Sequence, residues 1–137
     1  MATTKLGFIV QRPPYKSENP KLALTHAIAS QSVEVYLNDG DVVTADVAFI
    51  GDGVLNCLKD QKAMEQYDLS STESHIKMGL LVDLNILVCK EDLEKLGLTE
   101  NDIVLDAEEF GADLKINVVP YQDINKMMEE MNHLLFF

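Results

Sequence analysis

The chain has no tryptophan, only two cysteines and three histidines, and eleven lysine or arginine residues against twenty-three aspartate or glutamate. Each scarcity removes a class of function. Two thiols cannot build the dense disulfide framework of a small secreted domain. His26, His75 and His133 stand at no ligand spacing with one another or with Cys57 and Cys89, so no metal is expected. The formal charge of −12 repels phosphate backbones and no basic stripe offsets it, which argues against direct nucleic-acid binding. No apolar run approaches the roughly 20 residues that a membrane span requires. Met1-Ala2-Thr3-Thr4-Lys5 leads into a strand without the apolar core of a signal peptide, so the expected location is cytoplasmic and both cysteines are expected reduced.

What is present describes a folded domain. A hydrophobic fraction of 47% and a charged fraction of 25% are those of a globular chain. The length suits one domain over residues 1–137. Leu6-Gly7-Phe8-Ile9-Val10 reads as a buried parallel strand, broken by Gln11-Arg12-Pro13-Pro14-Tyr15. Asn19-Pro20 opens a helix that carries Leu24, Ala27, Ile28 and Val35 on one face. Asn38-Asp39-Gly40-Asp41 is a turn, and a second strand runs from about Val43 to Ile50. A short helix carries Val54, Leu55 and Leu58. Ser70 and Glu73 are spaced as a capping box for a helix through Ile76, Leu80 and Leu81. Ile86–Cys89 is a third strand, followed by a helix that stops near Gly97. Asp102–Leu105 reads as a short extended piece, Ile116–Pro120 as a strand, and a helix through Ile124, Met127, Met128 and Met131 precedes a last strand over Leu134–Phe137. Strands alternating with helices predict an α/β domain, a mostly parallel sheet with helices on both faces.

In such sheets functional groups gather beyond the carboxyl ends of the strands. Three loops qualify: one with Arg12, Tyr15 and Lys16, one with Asp52 and Gly53, and one with Cys89. Only the third holds an obvious nucleophile. Cys89 ends a strand and begins a helix, where unpaired N–H groups and Lys90 favour a thiolate while Glu91, Asp92 and Glu94 oppose it. Sequence leaves the sign of that balance open. Cys57 lies between apolar residues and reads as core. A phosphate- or flavin-binding loop would need donors after the first strand, where Pro13 and Pro14 remove them, so no cofactor is expected. A phospho-receiver with Asp52 as acceptor would need acidic metal ligands where Gln11 and Arg12 stand.

Four segments occur in a suggestive order. Phe8–Tyr15 reads FIVQRPPY, a strand with a proline-containing loop. Val47–Asn56 reads VAFIGDGVLN, a strand running into an Asp-Gly-Val turn. Ile86–Leu98 reads ILVCKEDLEKLGL, a cysteine before a helix ended by Gly-Leu, and the chain closes with HLLFF over His133–Phe137. Together they resemble the DsrE/DsrF-like (TusC/TusD-like) sulfur-relay family. The resemblance implies a flavodoxin-like three-layer α/β fold and a homo- or hetero-oligomer with paralogous subunits. It implies transfer of sulfur as a cysteine persulfide between donor and acceptor proteins, in tRNA thiolation or sulfur oxidation. The relay cysteine maps onto Cys89, and the loop topology described above predicts Arg12, Tyr15, Asp52 and Gly53 as the surrounding cleft. The second strand looks more like that of the TusC-type subunit, and not every paralogue transfers sulfur. A non-catalytic docking subunit with a silent Cys89 is therefore the alternative.

Overall fold

The most apolar stretches of the chain become five parallel strands. In the computed structural model, which describes residues 3–32 and 42–137, they are β1 (Thr3–Val10), β2 (Val42–Phe49), β3 (Asn85–Cys89), β4 (Asn117–Val119) and β5 (His133–Phe136). Their order in the sheet is β4-β3-β2-β1-β5, and each neighbouring pair is parallel. Parallel pairing requires crossovers, supplied by α1 (Asn19–Ser32), α2 (Ala63–Tyr67), α3 (Thr72–Leu81), α4 (Lys90–Lys95) and α5 (Tyr121–Glu130). The expected three-layer α/β class is thus observed.

The strand order decides where the helices lie. From β1 to β4 the chain steps in one direction, then returns past the whole sheet to set β5 beside β1. Right-handed crossovers place a reversed connection on the opposite face, so among the described residues α5 stands alone against one side. Alternating side chains record this division. Phe8, Val10, Val47, Phe49, Ile86 and Val88 pack with Leu24, Ala27, Ile76 and Leu80 of α1 and α3 in the larger core. Ile9, Ala48, Leu87 and Cys89 point the other way, against Ile124 and Met127 of α5. Pairing aligns Ile9 with Ala48 and Ala48 with Leu87, a row of apolar side chains running under α5. Cys89, two residues beyond Leu87, continues that face to the carboxyl edge.

Local chemistry adjusts several boundaries. The capping box expected from Ser70 and Glu73 does not form. Ser71 caps α3 instead, its Oγ accepting from the Ser74 N–H at 3.1 Å. Glu73 accepts from the backbone N–H groups of Asp60 and Gln61, at 3.1 Å each, because that turn has donors no helix or strand satisfies. The extended piece expected at Asp102–Leu105 is interrupted too. Residues Glu100–Asp102 form a 3-10 turn closed by a Thr99–Asp102 capping box, and Ile103 then makes an isolated antiparallel bridge to Leu58. The expected turn at Asn38–Asp41, and Val35 on the α1 face, lie outside the described residues.

Candidate functional site

Cys89 is the last residue of β3 and the residue from which the six-residue helix α4 starts. Strand alternation turns its side chain toward α5, and only 1% of the residue is exposed. Ile9, Ala48, Leu87, Ile124 and Met127 form the buried cluster to which it belongs. Lys90, the cation the sequence offers to a thiolate, is itself exposed. Burial is the largest influence on the sulfur and pushes its pKa up; the backbone N–H of Asp92 acts the other way, and the carboxylates of Asp92 and Glu91 add to the rise. The balance left open by the sequence therefore falls on the side of the neutral thiol.

The two carboxylates have partners that sequence could not supply. Both Glu91 oxygens accept from the backbone N–H of Tyr121, the first residue of α5, at 3.0 and 3.1 Å. Pro120, which precedes that helix, provides no side-chain cap, so Glu91 takes over the task from another element. Asp92 Oδ2 accepts from the Gly51 N–H at 2.7 Å, at the start of the 3-10 helix Gly51–Cys57. The residues just after Cys89 thus bind the start of the 3-10 helix that follows β2 on one side and the start of α5 on the other.

The cleft residues expected around Cys89 divide into two groups. Asp52 and Gly53 follow Gly51 in the 3-10 helix, which Asp92 ties to the Cys89 loop. Asp52 is exposed. Gly53 is buried so close to β1 that an added Cβ would come within 2.1 Å of the Val10 carbonyl oxygen, which explains the glycine on steric grounds alone. Arg12 presents an exposed side chain, and its backbone carbonyl accepts from Asn56 Nδ2 at 2.9 Å. Tyr15, held at a φ of 68°, reaches away toward α3. Its hydroxyl donates to Gln61 Oε1 and accepts from the Thr72 N–H at 3.1 Å. Tyr15 is a strut between the first loop and α3, not a neighbour of the thiol.

Sequence reasoning missed the polar network on which that strut rests. Thr72 Oγ1 donates to Gln61 Oε1 at 2.9 Å, and Gln61 Nε2 donates to the carbonyls of Asn56 and Leu58 at 2.9 and 2.7 Å. Asn56 and Thr72 are fully buried; Asn56, between Leu55 and Cys57, carries a local signal of this, whereas Thr72, between Ser71 and Glu73, carries none. Cys57 lies in the larger core and Cys89 in the smaller one, and both are free thiols, so they do not form a redox pair. Burial also pushes the Cys57 thiol far up. His75 does not approach the Cys89 loop through its Nδ1, which contacts the Ser71 carbonyl at 2.9 Å within its own turn of helix.

Comparison with known proteins agrees with this architecture. The TusC homolog of Aliivibrio fischeri is 27% identical over 134 residues, covering 97% of this chain and 98% of its own length. The crystal structure of the YchN protein from E. coli superposes with a TM-score of 0.72 at 16% identity, over 98% of this chain and 99% of that one, a likeness of fold. The model of the DsrE/DsrF-like family matches residues 4–137, with the Cys89 strand-to-helix junction inside the match. By that match, which spans nearly its whole length, the chain belongs to the DsrE/DsrF-like family.

Proposed function

We propose that this protein is a sulfur-relay subunit in which Cys89 carries sulfur as a persulfide. Membership of the family, and likeness to a protein named as a TusC homolog, support the relay role. The observation that carries the assignment to one residue is the place of Cys89, at the carboxyl end of a central strand where loops from two elements converge. In the transfer step the Cys89 thiolate attacks the outer sulfur of a donor persulfide. A bond forms between Cys89 Sγ and that sulfur while the donor's S–S bond breaks. The electron pair leaves with the donor thiolate, which takes up the proton released by Cys89, so sulfur moves without net oxidation. Asp52, exposed and next to the Gly51 that Asp92 binds, is the cleft residue we assign to the approach.

The relay works between proteins. We assign the chain to a cytoplasmic complex with paralogous subunits, a sulfur donor and a sulfur acceptor. Among the described residues no helix is long and apolar enough to cross a membrane. The exposed Leu134, Leu135 and Phe136 on edge strand β5 suit a subunit contact. The second reading is a docking subunit in which the covered thiol stays silent. Incubation with a cysteine desulfurase and radiolabelled cysteine separates the two. Label on the wild type that reductant removes, and that Cys89→Ser lacks, supports the carrier; equal labelling of both proteins, or of neither, overturns it.

A further inference from the structure

A persulfide adds an atom to a side chain that the fold already encloses. Cys89 is 1% exposed and shares its buried cluster with Ile124 and Met127 of α5. Protein interiors are packed too closely to admit a second sulfur, still less a donor protein, without displacement of a neighbour. The strands beneath are held by ladders on both sides, whereas among the described residues α5 is the single helix on its face. Its first N–H is fastened by Glu91, two residues from the thiol, through contacts of 3.0 and 3.1 Å that are exposed to solvent. Such a contact opens far more readily than a strand ladder does.

We propose that Glu91 is a positioning residue, a latch that holds the start of α5 over Cys89 and admits the sulfur donor when it releases. The inference rests on the relay reading for its purpose, though not for its geometry. A donor surface with a cation or a free backbone N–H for Glu91 would compete with Tyr121 for the carboxylate and uncover the thiol. Coupling of access to recognition in this way keeps the thiol from reacting with other electrophiles between partners.

Cys57 makes the test internally controlled, because it is fully buried in the larger core on the far side of the sheet. The experiment is alkylation of the two cysteines by iodoacetamide, followed residue by residue by mass spectrometry, in the wild type, Glu91→Ala and Glu91→Gln. Loss of a helix cap changes the opening equilibrium by about five- to tenfold. Glu91→Ala is expected to raise the Cys89 rate by that factor and leave Cys57 unchanged. Glu91→Gln, which keeps an acceptor for the Tyr121 N–H, should show a smaller rise. An unchanged Cys89 rate in Glu91→Ala overturns the latch, as does a parallel rise at both cysteines, which reports general loosening. Sulfur loading, measured on the same proteins, separates the two ideas: a rise confined to Cys89 with no loading of any protein supports the latch and removes the relay reading.

Discussion

Cys89 is defined as much by what covers it as by its place on the strand. Burial raises both thiols above their ordinary pKa of 9.0. The unfolded chain therefore gives up thiol protons before the folded one does. Their contribution to stability is complete below pH 9.0 and declines as the pH climbs past it toward the folded values. Urea denaturation from about pH 7 to about pH 10 should show the wild type losing stability more steeply than a Cys57→Ala/Cys89→Ala variant; equal slopes contradict the assignment. Gly53 is constrained differently, by a carbonyl rather than by charge. Gly53→Ala is expected to cost about 3 kcal/mol or more, read as a shift of the urea midpoint, and a change below about 1 kcal/mol would mean that the loop moves aside. Residues of this kind were partly legible. A cysteine at a strand-to-helix junction and a glycine in a tight turn announce themselves locally. The roles of Glu91 and Asp92 do not, because their partners stand 30 and 41 residues away. The loop of Tyr15 predicts a place in the cleft, yet its hydroxyl bonds to the start of α3 from a left-handed backbone.

Among the elements, α5 matters most to the site. It is amphipathic, with Ile124 and Met127 buried and its other face in solvent, so its stability comes from one stripe of contacts. Ile124→Ala should cost roughly 2–5 kcal/mol, measured by thermal or urea unfolding. A cost near zero would show that α5 contributes little cover to the smaller core. Four strands lie within one residue of the bounds the sequence predicts, since buried parallel strands are short apolar runs, whereas β1 begins at Thr3, three residues before the apolar run from Leu6. Helix starts were read less well. Ser70 and Ser71 are both competent caps, and the choice fell on Ser71 once Glu73 had been drawn to the Asp60–Gln61 turn. The short helix α2 went unread; of its five residues only Ala63 is buried, so it carries almost no hydrophobic period.

For the whole molecule, alternating strands and helices announced the α/β class, while strand order was beyond the sequence. Nothing local in the β4–α5–β5 segment says that the chain returns past β3, β2 and β1 to sit at the far edge of the sheet. That return puts α5, alone among the described residues, on the face where Cys89 is buried. The net charge of −12 acts at this scale too: it favours basic protein surfaces as partners and disfavours nucleic acid. Relay function requires the assembled molecule to let a donor reach a thiol that the resting fold conceals. Intact-protein mass spectrometry after incubation with a cysteine desulfurase and cysteine tests this most directly, with wild type and Cys89→Ser side by side. A reductant-sensitive gain of one sulfur atom on the wild type, absent from the variant, is the predicted result. A wild type that gains no sulfur while its Cys89 thiol remains intact would contradict it.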